Sequence, residues 1–210
     1  MVKQFYEKAL PTSGVYCVAS LKRETKILRH HFAESLDDAI KAAESIKKEG
    51  GLDVYVAMGT FKGYTRNNDN SLYYRSFFVD IDVGKEKAAK DKGYLTKQDA
   101  LDALRKFVND VGLPPPLVVD SGIGIHAYWV LGEDVPAEDY KPYAKLFKKL
   151  CLKHLKSDPM VASSNLAQLM RWVGSVNTRN NQVATIIDST LVEYSFDTFK
   201  DFLGEPDEPV

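Results

Sequence analysis

Cysteine is nearly absent: Cys17 and Cys151 are the whole complement in 210 residues. Two thiols exclude a disulfide framework and a four-thiolate zinc site, and a reducing, cytoplasmic setting is the default expectation. No apolar run approaches the roughly 20 residues a membrane span needs, and the opening MVKQFYEKALPTSG has no signal-peptide apolar core, so no membrane partner is expected. Neither a Walker-type phosphate loop with its lysine nor a G-x-S-x-G nucleophile elbow occurs. Internal repeats and low-complexity segments are missing too. Nor is there an excess of charge of one sign, since the net charge is −1. The distribution is uneven, however. Residues 193–210 hold six acids and one base, Lys200, which leaves about +4 on residues 1–192. That balance permits a polyanionic ligand without arguing for one. What is present, 44% hydrophobic and 11% aromatic residues, suits one globular domain or two small lobes sharing a core.

Along the chain, GVYCVAS (14–20) and TKILRHHF (25–32) read as a hairpin around a polar KRET turn. Ser35 to Asp38 opens an amphipathic helix that Gly50-Gly51 ends. DVYVAMGTF (53–61) reads as one strand, KGYTRNNDN as a loop, LYYRSFFVDIDV as a long apolar strand and KEKAAKDKGY as a charged surface loop. Thr96 caps a second helix with Leu101, Leu104, Phe107, Val108 and Val111 at helical spacing, stopped by Gly112 and the prolines at 114–116. LVVD (117–120) and IHAYWVL (125–131) are strands around SGIG. A lysine-rich helix follows Pro136, with Tyr140, Tyr143, Phe147 and Leu150 on its buried side. SSNLAQLM reads as helical, VATIID and LVEY as a last pair of strands, SFDTFKDFL as a closing helix and GEPDEPV as a linker or frayed end. From residue 71 onward the order is strand, helix, strand, turn, strand, helix. It suits an α+β arrangement of the ferredoxin-like kind, which makes residues 80–82 and the hairpin 117–131 neighbours.

Three stretches carry possible chemistry. In FFVDID, strand alternation puts Asp80 and Asp82 on one face while Ile81 serves the core. Unpaired, two such carboxylates repel, and a divalent cation held by oxygen ligands is the simplest compensation; a strand running out into solvent would read the same. In VVDSGIGIHAYWVL, the turn Ser121-Gly122-Ile123-Gly124 offers free backbone amides to an anion, and His126 shares a face with Tyr128. A hairpin with two convenient glycines and a structural histidine is the plain alternative. In SDPMVASSNLAQLMRWVGSVNTRN, Arg171, Ser175, Asn177 and Arg179 cluster around Gly174, a group suited to phosphate oxygens and a sugar hydroxyl, or equally to a polar surface loop.

Together, and in this order, the three resemble the archaeo-eukaryotic primase superfamily in its phage and plasmid primase-polymerase branch. That superfamily is marked by an apolar strand ending in D-x-D or D-x-E, a small-residue turn running to x-H and a third acidic residue later; its phage members add an Asp-Pro element, an arginine and a G-S/T-x-N segment with a basic residue. FFVDID, SGIGIH, DPMV and RWVGSVNTR match, over roughly residues 53–190. The chain departs from many relatives in having Ser164-Asn165 where they carry an acid before the arginine. The third carboxylate therefore falls to Asp158, with Asp188 as the alternative.

The resemblance implies one catalytic domain over residues 1–204, with an N-terminal α/β unit at 1–62, a catalytic core at 63–204 and an acidic tail at 205–210. It implies template-directed joining of NTPs or dNTPs on a DNA template and primer, in the cytoplasm of a bacterial or archaeal host, with a helicase module as a further partner. Asp80, Asp82 and Asp158 would hold two Mg²⁺ or Mn²⁺ ions; His126, Ser121, Gly122 and Gly124 would grip the triphosphate, aided by Arg171, Ser175, Asn177 and Arg179. Lys145, Lys148, Lys149 and Lys153 are candidates for the template backbone. Two rivals are a non-catalytic origin-binding domain and a rolling-circle nickase. The nickase needs a His-apolar-His metal pair, and His30-His31 are adjacent and point to opposite faces.

Overall fold

Among the described residues, two sheets frame the chain, one of four strands and one of six. The structure is a computed structural model and describes residues 1–156, 165–188 and 192–206. It opens with a helix that the sequence reading does not anticipate, α1 (Val2–Ala9), too short for its period to declare itself. Burial holds it: Tyr6 stacks on Trp172 with ring centroids 3.9 Å apart, and the Val173 amide donates to its hydroxyl at 2.7 Å. Strands β1 (Tyr16–Lys22) and β2 (Ile27–Ala33) form the expected antiparallel hairpin. Helix α2 (Leu36–Glu49) begins at Ser35, whose Oγ accepts from the Asp38 amide at 3.1 Å.

The stretch 53–61 corrects the sequence reading, because it is not one strand. β3 (Asp53–Ala57) stays beside β1 in the four-stranded sheet, whereas β4 (Gly59–Phe61) belongs to the six-stranded sheet, beside β5 (Ser71–Ile81). Met58 is the step between them. Glycine is required next to it, since a Cβ at residue 59 would lie 2.4 Å from the Tyr74 ring. The charged segment expected as a loop contains a short helix, α3 (Lys85–Ala89). Helix α4 (Lys97–Val111) has a full capping box between Thr96 and Asp99 and ends in left-handed Gly112.

β6 (Leu117–Asp120) and β7 (Ile125–Pro136) follow, the second running past the expected Leu131. Helix α5 (Ala137–His154) buries Tyr140, Ala144, Phe147 and Cys151, with Tyr143 and Leu150 only partly covered. The end of SSNLAQLM is a strand rather than a helix: β8 (Leu169–Arg171) pairs with β3. β9 (Val176–Asn177) and β10 (Gln182–Val183) make a small hairpin. The expected last pair of strands do not pair with each other, since β11 (Thr185–Asp188) adds to β6 and β12 (Glu193–Tyr194) runs parallel to β7. Helix α6 (Phe196–Leu203), capped by Ser195, closes the described chain.

The four-stranded order is β2-β1-β3-β8, and the larger sheet reads β11-β6-β7-β5-β4 with β12 on β7. One core joins Val18 and Val54 of the first sheet, and Trp172 just past β8, to Phe78, Tyr128 and Val130 of the second, with α1 and α2. The other packs α4, α5 and α6 against Phe77, Val79, Ile81 and Trp129. This is the expected α+β architecture, a mainly antiparallel sheet carrying helices plus an N-terminal α/β unit. Asp80 lies opposite His126, and His126 opposite Val119, so residues 80–82 and the 117–131 hairpin are indeed neighbours.

Candidate active site

Phe78 on β5 and Tyr128 on β7 belong to the core between the sheets. Two residues further along β5, and two back along β7, the same face carries Asp80 and His126. These two open with Asp82 onto a cavity of about 300 Å³, also lined by Ser121, Gly124, Arg171 and Asn177. The His126 Nε2 lies 3.6 Å from Asp80 Oδ1, and its Nδ1 is 3.0 Å from the Tyr128 hydroxyl. Burial pushes the Asp80 carboxyl up to about 7, and the charge of Asp82 adds to it against the opposing pull of Lys87 and Arg171. Burial, with the Arg171 charge, holds His126 down to about 3, so its ring is neutral.

Asp82 follows the end of β5, and Lys87 of α3 donates to its Oδ2 at 2.6 Å. The two carboxylates are each about a quarter exposed on their side chains, with Lys87 on Asp82 only, and as oxygen donors they fit a hard divalent cation. Among the described residues no third side chain completes a metal-binding group with them. Asp158 lies outside the described residues. Asp188 sits opposite Val118 on β11 and opens with Lys97 and Asp120 onto a different cavity, under α4, on the face of the sheet away from Asp80.

The SGIG turn is built for close approach, though three of its four amides, all but that of Ile123, are bonded rather than free. The Ser121 amide donates to the Gly124 carbonyl at 2.9 Å, the Gly122 amide to Asp120 Oδ1 at 2.8 Å and the Gly124 amide to Ser121 Oγ at 3.2 Å. Gly124 must be glycine because a Cβ would meet the Ile81 carbonyl oxygen at 2.5 Å. Gly122, at φ 95°, packs on Asn177 instead of lining the cavity. Asn177 clamps two loops, its Nδ2 donating to the Ser121 carbonyl at 3.3 Å and its Oδ1 accepting from the Arg179 amide at 3.1 Å. Ser175 is not brought to the cavity: its Oγ donates inward to the Trp172 carbonyl at 2.7 Å, and it is fully buried. Arg179 lines the cavity with an exposed side chain. The α5 lysines ride on a helix packed against the other face of the sheet, away from this site.

The opposite wall comes from the four-stranded sheet, and the sequence reading missed most of it. Asp53, fully buried at the start of β3, accepts from Arg171 Nη1 at 2.8 Å and from the Thr178 amide at 2.9 Å. Arg23, in the β1–β2 turn, brings its Nε within 2.5 Å of Asp53 Oδ2; the single Nε hydrogen is directed at Thr178 Oγ1, so the contact with Asp53 is one of charge. Tyr55 accepts from both guanidiniums, at 3.3 Å from Arg23 and 3.0 Å from Arg171, and Arg171 also lies 4.9 Å over its ring. Burial alone would raise the Asp53 carboxyl, but the Thr178 amide, Arg171 and Arg23 together hold it below its ordinary range. The available signal was an acid opening an otherwise apolar strand, with Tyr55 on its face.

No protein-family model matches the chain. A replication protein of Clostridium perfringens is 25% identical over 147 residues, covering 69% of this chain and 34% of that protein, so the chain spans about a third of the length of the curated relative it matches. Among solved structures, the AEP domain of the cyanophage S-2L primase-polymerase aligns with a TM-score of 0.61 at 19% identity, over 92% of this chain and 90% of that one. The catalytic domain of primase RepB′ in complex with initiator DNA gives 0.57 at 13% identity, over 91% and 84%. The polymerase domain from Mycobacterium tuberculosis Ligase D in complex with DNA gives 0.52 at 15% identity, over 96% and 86%. The fold is that of archaeo-eukaryotic primase catalytic domains.

Proposed function

We propose that this chain carries out template-directed nucleotidyl transfer on DNA, as a primase, a polymerase or both, in the replication of a phage or plasmid element. One observation carries the reading: a single cavity is lined both by two carboxylates, Asp80 and Asp82, and by guanidiniums, Arg171 and Arg179. A nucleoside triphosphate with its divalent ions has the complementary polarity, phosphate oxygens for the guanidiniums and cations for the carboxylates. Asp80 and Asp82 would hold Mg²⁺ or Mn²⁺, with Asp158 as the proposed third carboxylate because Asp188 opens elsewhere. When bound, the ions supply charge neutralisation at the departing pyrophosphate and acidify the attacking hydroxyl.

The protein's own groups then position. Lys87, now on Asp82, vacates that oxygen for a cation. Arg171 and Arg179 bind phosphate oxygens bidentately. Neutral His126 donates a hydrogen bond without adding charge, and Ser121 Oγ, already accepting from Gly124, has its own hydrogen to offer. Catalysis is then orientation and electrostatics, with no covalent intermediate. The core shared by both sheets supports reading residues 1–204 as one catalytic unit. The likeness to a replication protein and to primase and polymerase domains solved with DNA supports DNA as the partner and replication as the setting; a helicase module is proposed as well.

The test is incorporation of labelled dNTPs or NTPs on a primer–template with Mn²⁺. The wild-type chain is expected to extend or prime, and Asp80→Ala with Asp82→Ala to lose more than about a thousandfold of that rate while melting normally. Undiminished synthesis by the double variant sinks the assignment. DNA binding without any synthesis by the wild type would favour the non-catalytic reading.

A further inference from the structure

The KRET turn belongs to none of the sequence motifs, yet it puts Arg23 into the wall of the cavity. We propose that Arg23 is a phosphate-binding residue of this site, acting beside Arg171 and contributed by the four-stranded sheet. The identity of the ligand rests on the nucleotidyl-transfer reading; its chemistry does not.

Arg23 commits Nε to Thr178 and one Nη2 hydrogen to Tyr55, and among the described residues its Nη1 has no partner. Arg171 commits Nη1 to Asp53 and the Val176 carbonyl and one Nη2 hydrogen to Tyr55, leaving Nε without a partner among the described residues. Tyr55 accepts from both, so its own hydroxyl hydrogen is still to be placed. Guanidinium has no lone pair to accept with and does not lose its proton. Behind the wall Asp53 Oδ2 accepts no hydrogen bond and is held by the Arg23 charge, but the hydrogens left over on the two guanidiniums and on Tyr55 suit a ligand that accepts. Asp53 offsets one of the two positive charges, which leaves the pair about one charge in surplus. A phosphate answers both requirements. Arg23 is a quarter exposed on its side chain while Arg171 is 6% exposed, so Arg23 is the more accessible of the two. The phosphate belongs either to a nucleotide's triphosphate or to a nucleic-acid backbone.

Calorimetric titration of the full chain with inorganic tripolyphosphate, with dTTP and with a single-stranded oligonucleotide, each alone, tests the proposal. Arg23→Ala is expected to melt within a few degrees of wild type, since Arg171 still pairs with Asp53, and to weaken tripolyphosphate binding about 10–100-fold. A parallel loss for dTTP with unchanged oligonucleotide affinity makes the triphosphate the source; the reverse makes it the backbone. Unchanged affinity for all three, or no tripolyphosphate binding by the wild type, overturns the proposal. Should Arg23→Ala not fold, Arg23→Lys keeps the charge on Asp53 but loses the fork: a loss of about fivefold or more supports the proposal, and none overturns it. A wild type that binds tripolyphosphate through Arg23 but incorporates no nucleotide keeps the subsite and removes the nucleotidyl-transfer reading.

Discussion

Asp53 and Asp80 stand on neighbouring sheets, one behind the cavity wall and one in it, and both are largely shielded from water. Burial pushes both carboxyls upward. At Asp53 the Thr178 amide and two guanidiniums reverse the push; at Asp80 the neighbouring Asp82 adds to it. One acid has been given its cations by the chain, and the other has not. On the proposed reading, an acid left short of positive charge beside a cavity is where a bound cation would supply it.

The largest effect on stability is expected from breaking the satisfied side. Asp53→Asn leaves two guanidiniums with no counter-charge and is expected to cost about 3 kcal/mol, a fall of roughly 6–12 °C in Tm at neutral pH. Because the folded carboxyl is depressed, its contribution is present above the unfolded value near pH 4 and disappears as pH falls through the folded one. The gap between wild type and variant should therefore close on acidification below about pH 4; a gap constant with pH, read by thermal melting, contradicts the account.

Asp80 has the opposite sign. Its folded carboxyl, about 7, lies above the unfolded value, so its favourable contribution is full below about pH 4 and is lost as pH rises through about 7. In chelator, Asp80→Asn is expected to melt a few degrees above wild type at about pH 8 and equally near pH 4. Adding Mg²⁺ or Mn²⁺ should then raise the wild-type Tm and leave the variant where it was. Equal responses of the two proteins to metal would remove Asp80 as a ligand. The smallest effect belongs to Tyr128→Phe. It deletes one neutral hydrogen bond to His126 Nδ1, about 1 kcal/mol or 2–4 °C, and should lower incorporation less than tenfold. A hundredfold loss would show that ring orientation matters far more than this contact implies.

The acidic wall was legible because it is local. Alternation alone puts Asp80 and Asp82 on one face, and the short SGIG turn returns His126 to the neighbouring strand in register. The guanidinium wall was not, because its links span 30 residues from Arg23 to Asp53 and 118 from Asp53 to Arg171, and no period or turn signal reports such a pairing. The same limit explains β8. Its apolar residues answer to β3 across the sheet, so the pattern of SSNLAQLM carries no sign of its partner. That three of the SGIG amides are already bonded is hidden for a related reason, since glycine signals approach without saying which acceptors the turn has found.

The bend at Met58–Gly59 has a mechanical consequence. β3, bearing Asp53 and Tyr55, and β4, bonded to the strand that bears Asp80, are one rod folded once at a point where the Tyr74 ring leaves no slack. The two walls of the cavity are therefore joined through the backbone at a position that admits only glycine, so a side chain placed at residue 59 would disturb both walls at once.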